Sequence, residues 1–204
     1  MPTSALAEID PPPVGPQLPE DGVWIQLTVV KNTTVADVAV QLGQLGGNRI
    51  SYGALQLERH VTPRVAVSVA YARGGLRIDN APDLPLNLVR VGATWSSGSH
   101  PVELDARLWG ELLVPDRGRT IRQGRLRLRV SVDVPNTLPA LHPRLFVANE
   151  VFATTDNGFT RNRASAGLRT QPAHSIFFDV AYQRTDDATG LDQNVALVQL
   201  TRVF

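Results

Sequence analysis

Ten charged side chains fall at alternate positions in four neighbouring stretches of the chain. They are Glu103, Asp105, Arg107 and Glu111; then Arg125, Arg127 and Arg129; then Glu150; then Arg161 with Arg163. In extended backbone, side chains two apart project from the same face, so each stretch carries its charges on one side. Carboxylates and guanidinium groups arrayed in this way support two kinds of chemistry. They can bind a charged solute, or they can bind one another as charge-assisted ladders across adjacent strands. Glu150, Arg161 and Arg163 form the preferred interior cluster, with Glu150 accepting hydrogen bonds from the guanidinium groups. Holding neighbouring strands in register across a closed lumen is the plainer use of such a cluster.

Other reactive side chains are sparse. The histidines are His60, His100, His142 and His174, each within three residues of a proline. Gathered at one rim they would suit a transition metal or a pH response; spread around it they would be too far apart to share an ion, so no metal site is assigned. Ser175 adjoins His174 and Asp179 follows, which raises a barrel-embedded lipid hydrolase or acyltransferase. Adjacent residues on a strand diverge to opposite faces, however, and that separates His174 from Ser175. There is no glycine-rich phosphate loop, paired-histidine helix or nucleophile elbow, so neither a catalytic residue nor a cofactor is assigned.

Composition narrows the class. With 204 residues the chain suits one domain. A formal net charge of +1 gives no general reason to bind nucleic acid. Of the 20 basic residues only Lys31 is lysine; arginine suits ion pairs in a confined site, although a GC-rich coding sequence gives the same skew. The absence of cysteine excludes disulfides, thiolate metal sites and thiol catalysis. No run approaches the roughly 20 apolar residues of a spanning helix, but barrel strands need only about 9 to 11 alternating residues.

The elements that must position the charges are strands. Alternation, β-branched residues and Gly, Pro, Asn or Asp punctuation predict eleven: Val23–Val30, Val35–Leu45, Ile50–His60, Val65–Arg73, Leu86–Trp95, Val102–Val114, Gln123–Val134, Arg144–Ala153, Arg161–Thr170, Ser175–Arg184 and Asn194–Phe204. An antiparallel bacterial barrel normally closes with an even count, which predicts 10 or 12 strands. Residues 1–21 read as an extended leader, with five prolines in Ile9–Asp21. Ser4-Ala5-Leu6-Ala7 before Glu8 has the form of the end of a signal peptide. Residues 22–204 form the single barrel domain.

Alternation alone does not say which face meets the core. In GRLRLRVSVDV, Gly124 to Val134, Leu126, Leu128, Val130 and Val132 oppose Arg125, Arg127, Arg129 and Ser131. A soluble barrel or sandwich would turn the leucines inward and bind a lipophilic ligand; a membrane barrel would turn them outward. Two features favour the membrane. The charged faces of neighbouring segments are complementary in sign, and the chain closes on Phe204 with Ala196, Val198 and Leu200 on the same face. That ending has the form of an outer-membrane assembly signal, although Arg202 interrupts it. Trp, Tyr and Phe number only 3, 3 and 6, so any aromatic girdle is thin.

Several short motifs follow one another in the second half of the chain: Pro115-Asp116-Arg117-Gly118-Arg119, Arg125-Leu126-Arg127, Asn149-Glu150-Val151-Phe152, Arg161-Asn162-Arg163 followed by Gly167-Leu168, Asp179-Val180-Ala181-Tyr182 and the terminal Phe204. In their order and spacing, from about Val102 to its end, the sequence resembles the domain-of-unknown-function family numbered 2490, bacterial proteins assigned to outer-membrane β-barrels. The resemblance implies fold and location and no activity.

The expectation is therefore an all-β, closed, antiparallel up-and-down transmembrane barrel in the bacterial outer membrane. Its lumen would be polar and charge-paired, serving as a narrow pore or as a structural envelope component. Its partners would be outer-membrane lipid and the barrel-assembly machinery, engaged through the strand ending at Phe204. With Phe204 on the periplasmic side, all four histidines are expected at the periplasmic end.

Overall fold

In the computed structural model the described residues are 22–33, 36–45, 50–76, 84–98, 100–116, 119–135, 141–188 and 192–204. The leader at 1–21 and the Arg117-Gly118 pair lie outside them. The strands are β1 (Gly22–Lys31), β2 (Asp37–Leu45), β3 (Ile50–Thr62), β4 (Val65–Leu76), β5 (Leu84–Ser96), β6 (Val102–Pro115), β7 (Ile121–Asp133), β8 (Arg144–Thr154), β9 (Gly158–Ala173), β10 (Ile176–Asp187) and β11 (Gln193–Val203).

Each strand pairs antiparallel with the next, and β1 closes the barrel against β11. The count is eleven, neither 10 nor 12. The expected evenness fails because it assumes that every neighbouring pair is antiparallel. With an odd number of alternating strands the first and last point the same way, and β1 pairs with β11 in parallel, from Gly22 beside Val195 to Val30 beside Val203. Val23–Val30 is thus a full wall strand. One consequence is geometric: Gly22 starts at the end of the barrel away from Phe204.

The polarity of the wall is inverted relative to a soluble barrel. Ile25, Leu42, Leu108, Leu128, Val147 and Val91 are 56 to 60% exposed, whereas Arg125, Gln26, Gln41 and Glu150 are at most 3% exposed. A soluble barrel with an apolar ligand cavity therefore does not fit: alternation has placed the branched aliphatic residues outside and the ionic ones inside.

Strand boundaries follow the alternation to within three residues; β4 and β10 overrun at one end, to Leu76 and Asp187, and β9 at both, running from Gly158 to Ala173 against the expected Arg161–Thr170. Irregular register near Phe152/Ala153 and near Ile176/Phe178 disturbs the two-residue period at both ends of β9. Two glycines mark where large side chains need the backbone bare. A Cβ on Gly167 would lie 2.5 Å from the Val180 carbonyl and 2.7 Å from the Phe146 ring; one on Gly92 would lie 2.3 Å from the Leu108 carbonyl, beside Trp109.

Candidate functional site: a charge-paired lumen

The lumen is built in layers. At the end away from Phe204, Trp24, Tyr52, Leu88, Leu113 and Val195 form an apolar cluster with Leu86, Ile121 and Leu197 packed against it. Trp24 and Tyr52 stack at 5.1 Å with 18° between their planes. Their polar atoms are satisfied together, because Trp24 Nε1 and Tyr52 Oη both donate to Gln26 Oε1, at 3.1 and 3.2 Å. This layer was missed from sequence. Its members are one or two apolar residues near a strand end, and nothing in one strand indicates that the others supply theirs at the same level.

Next comes an ionic relay crossing five strands, β5 to β9. Arg90 Nε lies 2.8 Å from Glu111 Oε1, and Arg125 Nη2 lies 3.4 Å from the same oxygen. Arg125 Nε meets Glu150 Oε1 at 3.1 Å, and Arg163 Nη1 meets Glu150 Oε2 at 3.1 Å. Gln123 donates to the other Glu111 oxygen. The register explains the relay: Arg90 sits opposite Glu111, and Glu150 opposite both Arg127 and Arg163. Every member is at least 95% buried, so the charges are held by one another rather than by bulk water.

Aromatic faces support the guanidinium groups. Phe152 carries Arg163 at 4.9 Å, Arg161 at 5.5 Å and Arg125 at 5.6 Å from its ring centre. Arg129 lies 3.9 Å over Phe146, and Trp109 receives Arg90 and Arg107 at 5.9 and 5.8 Å. Cation–π contact suits arginine in a confined space, since the flat cation keeps its edge free for hydrogen bonds.

Toward the Phe204 end, Arg169 grips Asp179 with two bonds of 2.7 Å. Arg144 bridges Glu103 at 2.8 Å and Asp133 at 2.7 Å, and Ser96 Oγ donates to Glu103 at 2.7 Å. Arg107 donates from Nε to Thr94 and Arg129 from Nε to Ser131. At the opposite mouth Arg161 reaches Asp187 at 3.3 Å.

All ten residues singled out from sequence, Glu103, Asp105, Arg107, Glu111, Arg125, Arg127, Arg129, Glu150, Arg161 and Arg163, project into this lumen. The structure adds Arg90, Arg144, Arg169, Asp133, Asp179 and Asp187, together with Asp37 and Glu58 on the far wall. Among the described residues the inward charges comprise nine arginines and nine carboxylates. The lumen is neutral overall, which neither attracts cations nor repels anions at long range.

Apart from Asp37 and Glu58, the opposite wall carries neutral side chains. On β4 the inward residues are Ala66, Ser68, Ala70 and Ala72, and β1, β2, β3 and β11 contribute Gln26, Thr28, Gln41, Gln56, Gln199 and Thr201, all at most 2% exposed. The inward face of β4 is thus the one stretch of wall among the described residues built only from small side chains.

The four histidines do fall at the Phe204 end, in or beside the turns after β3, β5, β7 and β9. They do not assemble. His60 Nε2 is 4.0 Å from both Asp37 and Glu58, and His100 Nδ1 is 2.8 Å from Asp133. Among the described residues no group of three or more His, Cys, Asp or Glu is arranged to hold a metal. Nor do His174, Ser175 and Asp179 form a catalytic set: Asp179 is inside the lumen and committed to Arg169.

Comparison with known proteins agrees with this architecture. LpxR from Salmonella typhimurium superposes with a TM-score of 0.53 at 9% identity, covering 82% of this chain and 83% of that one. At that identity the likeness is one of fold, that of an outer-membrane barrel. The siderophore receptor PirA from Pseudomonas aeruginosa matches at a TM-score of 0.31 and 11% identity, over 78% of this chain but 32% of its own. No curated protein matches the sequence. A protein family described only as of unknown function, DUF2490, matches residues 44–195, well upstream of the motifs that begin at Val102, and the chain belongs to that family.

Proposed function

We propose that this protein is a closed barrel of the bacterial outer membrane, a structural component of the envelope rather than an open pore. The observation that carries this reading is the filled lumen. The relay Arg90–Glu111–Arg125–Glu150–Arg163 spans one half of the interior, and the apolar cluster around Trp24 and Tyr52 lies above it. A conducting barrel keeps water beside its charged residues, whereas here the charged groups are buried against one another and against aromatic rings. The apolar outer wall and the likeness to an outer-membrane barrel support the location. In this reading Phe204 marks the periplasmic end and lipid covers the aliphatic face.

Fractionation and electrical recording test the two parts separately. The protein is expected in the detergent-extractable outer-membrane fraction, and a monodisperse soluble monomer without detergent overturns the location. Reconstituted into a planar bilayer it is expected to show no steady conductance. Defined, salt-dependent unitary steps from the wild-type chain overturn the closed lumen and restore the pore.

A further inference from the structure

The two rims of the wall differ in charge. Because β1 and β11 run the same way, the connecting segments 32–36, 63–64, 97–101, 134–143 and 174–175 all belong to the Phe204 end. None of them contains aspartate or glutamate. Of the five segments at the other end, 46–49, 77–83, 116–120, 155–157 and 188–192, four carry aspartate.

Beside the Phe204 rim the outer wall is cationic over four adjacent strands. Arg202 on β11, Lys31 on β1 and Arg59 on β3 are exposed and point outward, each within three residues of its strand's Phe204 end. Register gathers them in one sector: Val29 is beside Arg202, Lys31 is opposite Val38, and Val38 is opposite Leu57, two residues before Arg59. The carboxylates of β11, β1, β2 and β3 are Asp37 and Glu58, and both are buried in the lumen. Among the described residues no ion pair joins any of the three cations to a carboxylate, the terminal one of Phe204 included. Arg202 lies 4.4 Å over the Phe204 ring, a contact that leaves the edge of the guanidinium open to an anion. Next to the cations on the same four strands stand Leu200, Val29, Leu27, Val40, Leu57 and Leu55, all exposed.

We propose that this sector binds an anionic phospholipid of the periplasmic leaflet, its phosphate held by Lys31, Arg59 and Arg202 and its acyl chains laid along the aliphatic columns. The surface has two halves, a cationic edge and an apolar wall continuous with it, and an amphiphile with a negative head matches both. Arginine gives phosphate oxygens paired N–H donors, and lysine adds a point charge. The long stems of all three let their heads reach the headgroup layer from the edge of the apolar band. A zwitterionic phospholipid carries its own ammonium, which offsets the attraction. The inference rests on the outer-membrane reading given above.

Native mass spectrometry of the protein in neutral detergent micelles, with equimolar phosphatidylglycerol and phosphatidylcholine of the same acyl chains, tests the site. The wild-type chain is expected to retain phosphatidylglycerol at least fivefold more often than phosphatidylcholine. The triple variant Lys31→Gln/Arg59→Gln/Arg202→Gln is expected to bring that ratio within twofold of one. Arg73→Gln/Arg119→Gln/Arg122→Gln removes as much charge from exposed positions at the other end and is expected to keep most of the preference. Equal retention by the wild type, a preference that survives K31Q/R59Q/R202Q, or equal loss from both triples overturns the proposal. Full displacement of the lipid by inorganic phosphate also overturns it, and assigns the cations to the free ion. Heat-modifiable gel migration shows that each variant is folded. A monodisperse soluble monomer without detergent would sink the membrane reading, a result independent of the lipid ratio.

Discussion

At the scale of single residues, Glu150 carries the most. It is 3% exposed and serves Arg125 and Arg163 at once. Removing it leaves two buried cations facing each other across an empty site, and breaking a buried pair in this way costs about 3 to 5 kcal/mol. Glu150→Ala is therefore expected to lower the urea midpoint of the barrel in liposomes by a corresponding amount. Arg119→Ala provides the contrast. Arg119 meets Asp156 at 3.3 Å, but their side chains are 81 and 51% exposed, and such a pair contributes about 1 kcal/mol or less. If the two substitutions prove equal, the lumen is wetter than its geometry indicates. Gly167→Ala acts through space alone: its Cβ would meet backbone oxygen on β10 and the Phe146 ring. The expected loss is about 1 to 3 kcal/mol, with Phe146→Leu added in the same chain recovering part of it.

At the scale of elements, the parallel junction of β1 and β11 is the feature most open to direct test. Val29 sits beside Arg202 and both project outward. The double variant Val29→Cys/Arg202→Cys is expected to oxidise to an intramolecular disulfide, because neighbouring strands hold Cα atoms within the range of about 4.4 to 6.8 Å that the bond requires. Ile25→Cys/Arg202→Cys, four residues out of register, is expected to remain reduced. A reversed pattern would mean that the barrel closes otherwise. This junction also shows where sequence ceased to be informative. Alternation in GRLRLRVSVDV identifies a strand and its two faces from local stereochemistry alone, and the charged neighbours and terminal Phe204 gave those faces their direction. Parity is different: whether Val23–Val30 completes the wall depends on a partner some 170 residues away, and no local period encodes it. The ten lumen charges were legible for the same reason as the strands, since each lies at an alternate position. Arg90, Arg144 and Arg169 were not, because each is a lone cation among small or neutral neighbours and acquires its carboxylate only through register.

At the scale of the whole molecule, the division between a neutral, filled interior and an aliphatic exterior predicts unequal tolerance of charge. Leu128→Arg places a cation on the outer wall between Leu126 and Val130 and is expected to cost about 2 to 4 kcal/mol if that face lies near the bilayer midplane. Measured by unfolding from liposomes, an effect near zero would mean that the face is covered by water. The odd strand count reaches further than closure. In an even-stranded barrel the first and last strands end side by side, so a short turn can join them and the chain can be cut open at any other hairpin. Here Gly22 and Val203 lie at opposite ends of the wall. Joining them takes a segment that crosses its full height, roughly 9 to 11 residues in strand form. Circular permutation of this barrel thus calls for a linker as long as the wall is high, where an even-stranded barrel needs only a turn.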